Sequence, residues 1–226
     1  MTHFYVDTSG PDQAGLLAAL QWFLGRAQGR VGLLAVPTKS QLQQGLLVDT
    51  LGKAICKKLA KNEAVTDSGV TFEAVTERTR PSTWREGPVL VLYPSRSLLN
   101  KIDTLPGTTE VLVLPWAPGE CDDWVEQWGA TDILSGTAAA IPSLSPKVEA
   151  TLERVRDAVN VRSGISHPND RSYVVRAFKS LKEEGEPLDQ QGIRAWLVRE
   201  GHFDADDADT IADIAARIEA GRQVRE

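Results

Sequence analysis

Two six-residue segments of the sequence match each other and bring together side chains that bind anions. Residues 37–42 read PTKSQL and residues 94–99 read PSRSLL. In each segment a proline that closes an apolar run is followed by a hydroxyl residue, a cation and a serine. We name residues 37–40 the Pro37 turn and residues 94–97 the Pro94 turn. The two turns offer Thr38, Lys39, Ser40, Ser95, Arg96 and Ser97.

A helix is predicted to begin directly after each turn, and this position gives the pattern a chemical meaning. A helix N-terminus offers unpaired backbone N–H groups and the positive end of the helix dipole. A lysine or arginine beside it adds charge-assisted hydrogen bonds, so the combination favours a phosphate group. We therefore predict that these side chains bind a phosphate-bearing, nucleotide-like small molecule. In the structural alternative, Ser40 and Ser97 only cap their helices, while Lys39 and Arg96 are solvated surface charges.

A third hydroxyl-rich turn, formed by Asp7, Thr8 and Ser9, follows the first apolar run and extends the predicted ligand site. The stretch FYVDTSG, residues 4–10, resembles the opening strand of the PIN-domain nucleases, which cut RNA with a cluster of acidic residues and a divalent metal. The resemblance implies that Asp7 is a metal ligand in a phosphodiester-cleaving enzyme. As an alternative, Asp7 caps the first helix or stabilises a turn.

The resemblance to the PIN-domain nucleases is confined to that short stretch. A strand returns by residue 31, where that family has several helices before its second strand. Further carboxylates would have to come from residues such as Glu77 or Asp132, and the Pro94 turn supplies Arg96 in place of an acid.

The sequence lacks the other common signatures of catalysis and cofactor binding. It contains no G-x-G-x-x-G, no G-x-x-x-x-G-K-[ST] and no G-x-S-x-G motif. His3, His167 and His202 have no carboxylate partner in a recognisable frame. The leading hypothesis therefore includes no cofactor and no metal, and the sequence leaves open whether the chain is an enzyme. Three functions remain: a binding protein for an anionic small molecule, a PIN-like nuclease, and a non-catalytic adaptor.

In the first part of the chain, predicted strands alternate with predicted helices, and these elements must position the residues of the three turns. Short apolar runs predict strands, and apolar residues at three- and four-residue spacing predict helices. The predicted strands are residues 4–6, 31–36, 70–75, 89–93, 111–114 and 133–134, and the predicted helices are residues 12–27, 40–61, 97–105 and 120–128. This order is typical of a mostly parallel, Rossmann-like sheet with helices on both faces. Ligands of such sheets bind at the carboxyl ends of the strands, where the three turns lie.

The rest of the chain is predicted to be helical. We predict a Rossmann-like domain over residues 1–135, a linker over 136–146 and a helical module over 147–226. Residues 147–160, 170–184, 189–200 and 205–220 are its predicted helices. The module is a candidate surface for a protein partner.

Composition limits the partners. The net charge is −6, with both signs interspersed along the chain, which argues against nucleic-acid binding. No apolar stretch is long enough to cross a membrane, and the first residues lack the basic region of a signal peptide, so we expect a cytoplasmic location.

Overall fold

The structure is a computed structural model that describes residues 1–8, 11–159, 165 and 167–225. Ser9, one of the predicted ligand residues, lies outside these ranges. The chain divides into two compact units. One unit comprises Met1–Val125 and Gly129–Ala139, and the other comprises Glu126–Trp128 and Ala140–Glu226. We call them the sheet unit and the helical unit.

The sheet unit contains one seven-stranded sheet. Its strands are β1 (Thr2–Tyr5), β2 (Val31–Ala35), β3 (Val65–Asp67), β4 (Val70–Val75), β5 (Gly87–Leu92), β6 (Thr108–Leu114) and β7 (Thr131–Asp132). Their order across the sheet is β3-β4-β2-β5-β6-β1-β7. Every neighbouring pair is parallel except β3 and β4, which form an antiparallel pair at one edge. The predicted fold class, an α/β chain with a mostly parallel sheet and a helical C-terminal part, is confirmed.

Both faces of the sheet are covered, and the strand sequences explain why. Leu90 and Leu92 of β5 pack into the apolar cluster that includes Leu16 and Phe23. The alternate residue Val91 points to the opposite face and is also fully buried. A strand buried on both faces needs apolar residues at consecutive positions, and this is the pattern that the sequence shows.

Helices connect the strands. The sheet unit contains α1 (Gln13–Arg26), a 3₁₀-helix (Lys39–Leu42), α2 (Leu46–Leu51), α3 (Lys53–Ala60) and α4 (Arg96–Asp103), and α5 (Asp122–Trp128) follows β6. Asp12 caps α1, because its carboxylate accepts the backbone N–H groups of Ala14 and Gly15. The structural alternative that gave this role to Asp7 is therefore wrong.

The single helix predicted over residues 40–61 is wrong. The segment forms the 3₁₀-helix, α2 and α3, with breaks at Gly45 and Gly52. Both glycines have a positive φ, 76° and 85°, which other residues rarely adopt. The backbone therefore turns at these two positions although the leucine periodicity continues through them.

Two strands at the edges of the sheet also differ from the prediction. The three-residue β3 was not predicted, because only Val65 of its residues is buried. The last strand is Thr131–Asp132 rather than residues 133–134. Its Asp132 is buried because the carboxylate accepts the backbone N–H groups of Asp7, Leu134 and Ser135. A buried acid at this position concealed the strand from a search for apolar runs.

Among the described residues of the helical unit are the helices α6 (Pro146–Ala158), α7 (Pro168–Glu183), α8 (Gln190–Arg199) and α9 (Ala205–Glu219). Ser145, His167, Asp189 and Asp204 accept backbone N–H groups at their respective N-termini. One apolar cluster contains Val174, Phe178, Ile193 and Ile211. None of the described helices combines the length and apolar character that a membrane span requires.

Candidate functional site

The strand order places the Pro37 and Pro94 turns at the ends of neighbouring strands. Strand β2 pairs directly with β5, in the register Leu33 to Val89 and Ala35 to Val91. The connections that follow β1 and β2 lead toward the β3 edge, whereas those that follow β5 and β6 lead toward the β7 edge. The sheet therefore changes direction between β2 and β5. In open parallel sheets, such a switch point opens a crevice at the carboxyl ends of the strands.

A cavity of about 670 Å³ lies at the carboxyl ends of the strands. It is lined from four connections, those that follow β1, β2, β5 and β6. The lining residues are Pro11, Val36, Gln41, Gln44, Gly45, Leu46, Leu47, Tyr93, Trp116 and Glu120. The lining combines apolar surface, two aromatic rings, two primary amides and one carboxylate. It is suited to a largely apolar or planar group that also makes a few hydrogen bonds.

The two aromatic rings of the lining contact each other. The rings of Tyr93 and Trp116 meet edge to face, with centroids 5.0 Å apart and planes at 89°. Trp116 is 49% exposed, which is unusual for so large an apolar side chain. Glu120 accepts the backbone N–H groups of Trp116 and Ala117 and thereby fixes the turn after β6.

Tyr93 stands in a strained position between β5 and the Pro94 turn. Its φ is 52°, a value that is rare for a residue with a large side chain. Its hydroxyl oxygen is buried and has no hydrogen-bond partner among the described residues. Burial raises the pKa of the hydroxyl, and the negative charge of Asp12 raises it further. Tyr93 therefore contributes a neutral ring to the site.

The Pro94 turn is held by contacts with its surroundings. Ser95 caps α4 by accepting the N–H of Leu98 at 3.2 Å, and its hydroxyl donates to Glu77. Lys101 of α4 donates to the backbone oxygens of Thr76, Glu77 and Thr79 after β4. Arg96 and Ser97 are exposed at the first turn of α4. Here a cation does stand at a helix N-terminus, as the sequence predicts.

Lys101 is a partly buried cation whose pKa is lowered. Desolvation lowers the pKa of the ammonium group, and the positive charge of Arg80 lowers it further. The three backbone carbonyl oxygens give this partly buried cation its hydrogen bonds. Its role in the structure is to join α4 to the turn that follows β4.

The Pro37 turn is held by local bonds. The N–H of Thr38 donates to Oε1 of Gln41 at 3.1 Å, and the hydroxyls of Thr38 and Ser40 lie 2.7 Å apart. Thr38, Lys39 and Ser40 are all exposed. Because only one turn of 3₁₀-helix follows, the predicted N-terminus of a long helix is absent at this turn. The cation and hydroxyls remain.

Asp7 and Thr8 lie farther along the sheet edge. The exposed Asp7 follows β1, and the hydroxyl of Thr8 donates to Asp12 at 2.9 Å. Glu77 follows β4, which is four strands away from β1. At about 4.8 Å per strand, the two acids are too far apart to share one metal ion.

Asp132, which accepts the backbone N–H of Asp7, is already occupied by hydrogen bonds. Burial of Asp132 would raise its pKa, but hydrogen bonds from Ser135, Leu134 and Asp7 outweigh burial and lower it. Among the residues that the structure describes, no group of three His, Cys, Asp or Glu side chains is arranged to hold a metal ion.

The lining of the cavity differs from the set of residues predicted from sequence. Of the predicted ligand residues that the structure describes, none belongs to the lining, although Val36, Gln41 and Tyr93 adjoin the two turns in sequence. Gln41, Gln44, Tyr93 and Trp116 are not among the residues predicted from sequence. One signal was present, since Trp116 is a tryptophan directly after the Pro115 that closes a buried strand.

Fold and cavity together define an open, doubly wound, mostly parallel sheet with a crevice at its switch point. Comparison with known families adds one finding, which concerns the other unit. Residues 144–226 are similar to the family described as "Domain of unknown function (DUF1889)". The match spans the four helices α6 to α9 and does not extend into the sheet. No curated protein and no solved structure matches the chain.

Proposed function

We propose that the sheet unit is a binding module for a nucleotide-like small molecule, held in the cavity between the ends of β2 and β5. The observation that carries this proposal is the position of the cavity, because it opens at the switch point of the sheet. Its volume, about 670 Å³, lies within the range of 300–1,000 Å³ that is usual for small-molecule sites. The Pro37 and Pro94 turns follow the two strands that flank this point.

The lining favours one orientation of the ligand. Trp116 and Glu120 belong to the β6 side of the cavity, where the carboxylate of Glu120 would repel a phosphate. Aromatic faces stack with nucleobases, at about 1–3 kcal/mol per base. We therefore place the planar ring of the ligand beside Trp116. The amides of Gln41 and Gln44 offer both donors and acceptors to the edge of such a ring.

The phosphate then lies toward β2 and β5. Lys39 and Arg96 are exposed at the ends of these neighbouring strands and supply the positive charge that the cavity lining lacks. Thr38, Ser40 and Ser97 add hydroxyl groups on the same side, whereas the hydroxyl of Ser95 already donates to Glu77 and holds the Pro94 turn in place. Asp7 and Thr8 belong to the connection after β1, which also contributes Pro11 to the lining, and they extend the proposed ligand site.

The test separates recognition of the ring from recognition of the phosphate. The four common nucleoside monophosphates are first screened by thermal shift, and the best ligand and its nucleoside are then titrated by calorimetry. We expect the Lys39→Gln/Arg96→Gln variant to bind the nucleotide at least 10-fold more weakly and the nucleoside unchanged. Trp116→Ala should weaken both ligands about 10-fold, because it removes the stacking surface.

Lys57→Gln/Lys58→Gln is the matched control, since it removes two exposed cations from α3 in the same unit. It should bind both ligands like the unaltered chain. If no nucleotide binds, the proposal is wrong. If nucleoside and nucleotide bind equally and neither depends on Lys39 or Arg96, the cavity binds a planar molecule without a phosphate.

A further inference from the structure

The helical unit contains a second concave site, a groove of about 330 Å³ between α6 and α7. Its residues are Lys147, Thr151, Arg154, Tyr173, Arg176, Ala177, Ser180, Leu181 and Glu184. Lys147, at the start of α6, forms an ion pair with Glu184 at the end of α7, so the two helices run antiparallel along the groove. The whole groove lies within the residues similar to the DUF1889 family.

The groove is locally positive on a negatively charged chain. Three of its side chains are cations and one is a carboxylate, whereas the chain carries a net charge of −6. The ion pair between Lys147 and Glu184 is exposed, with 50% and 42% of the two side chains accessible, so solvent screens it strongly. An incoming anion can therefore compete with Glu184 for Lys147 at little cost.

Both arginines of the groove are oriented by their own helices. Nε of Arg154 donates to the backbone oxygen of Ala150, and Nε of Arg176 donates to that of Ser172. Nη2 of Arg154 also donates to the hydroxyl of the buried Thr151 at 2.8 Å. These bonds leave Nη1 of Arg154 and both Nη atoms of Arg176 without an acceptor among the described residues. A guanidinium presented in this way is a preformed donor for a carboxylate.

We propose that this groove binds an acidic peptide segment of a partner protein. Its shape favours a peptide over a single small anion. Lys147 and Arg154 are seven residues apart on α6, and Arg176 and Glu184 are eight apart on α7, which spans about 10–12 Å along the helices. An extended peptide of three to four residues covers that distance. Its carboxylates would pair with the cations, while the partly exposed Tyr173 and Ala177 offer apolar surface.

The experiment uses the full chain and a fluorescein-labelled hexaglutamate peptide as the probe, with fluorescence anisotropy at low and moderate salt. We expect saturable binding that weakens as salt rises. Arg154→Gln/Arg176→Gln should weaken it at least 10-fold. Glu184→Gln should strengthen it severalfold, because this change removes the carboxylate that competes for Lys147.

Arg171→Gln is the matched control, since it removes a cation from α7 outside the groove and should leave binding unchanged. The proposal is overturned if hexaglutamate does not bind or if the two groove variants have no effect. It is also overturned if free pyrophosphate displaces the peptide at concentrations well below the dissociation constant of the peptide, which would identify the groove as a small-anion site. None of these outcomes depends on Lys39 or Arg96, so the two proposals fail independently.

Discussion

After β5, the Pro94 turn leads into an eight-residue helix, whereas after β2 the Pro37 turn leads into one turn of 3₁₀-helix. The sequences of the two turns are nearly the same. The difference arises from their neighbours. Ser95 and Lys101 tie the Pro94 turn and α4 to the segment after β4, while the Pro37 turn depends on bonds within residues 38–41. A local sequence pattern therefore specified where each turn lies and not how firmly it is held.

The greatest loss of stability should follow from removing the Glu73 carboxylate, which holds the segment that leads into β5. Glu73 of β4 is 1% exposed and accepts the backbone N–H groups of Ser82, Thr83 and Trp84, just before β5 begins. Glu73→Ala leaves these donors unpaired, which should lower the free energy of unfolding by about 3 kcal/mol or more. Urea unfolding measures the loss, and the exposed Glu63→Ala is the control. A loss below about 1 kcal/mol would contradict this role.

The same carboxylate should make stability depend on acid pH. Burial would raise the pKa of Glu73, but the hydrogen bonds from Ser82, Trp84 and Thr83 outweigh burial and lower it. A carboxylate whose pKa is lower in the folded state stabilises the fold above its unfolded pKa and loses that contribution as pH falls through the folded pKa. Stability should therefore decline from about pH 4.3 downward. Glu73→Gln should show a shallower decline, and an equal slope in both chains would exclude this residue as a cause.

Substitutions in the two turns should lower the free energy of unfolding by different, smaller amounts. Ser95→Ala removes the cap of an eight-residue helix and should cost about 1 kcal/mol, whereas Thr38→Ala removes the capping contacts of a single 3₁₀ turn and should cost about 0.5 kcal/mol. Chemical unfolding of the two variants side by side measures the difference. Equal losses of unfolding free energy would show that the Pro37 turn is held as firmly as the Pro94 turn, which would contradict the difference inferred from their hydrogen bonds.

Much of the fold follows from local sequence, because strands buried on both faces must be continuously apolar. The run from Val70 to Val75 corresponds to β4 residue for residue. The breaks at Gly45 and Gly52 were not predicted, because the leucine periodicity continues across both glycines. The last strand was predicted two residues too late, since its Asp132 is a buried acid that accepts backbone N–H groups.

The candidate site could be predicted less completely. That ligands would lie at the strand ends follows from the fold class, but which ends are neighbours depends on strand order. Strand β1 lies between β6 and β7, and β2 lies between β4 and β5. Gln41, Tyr93 and Trp116 meet around one cavity only because of this interleaving. No local pattern in the chain encodes that arrangement.

The most direct test of the cavity is the indole N–H resonance of Trp116 in a ¹H–¹⁵N correlation spectrum. The chain has six tryptophans, and Trp116→Phe identifies the signal. On titration with the tightest-binding nucleoside monophosphate, we predict a saturable shift of this resonance, while that of the buried Trp84 stays in place. If the nucleotide binds and the Trp116 resonance does not move, the ligand occupies another site and the central claim is contradicted.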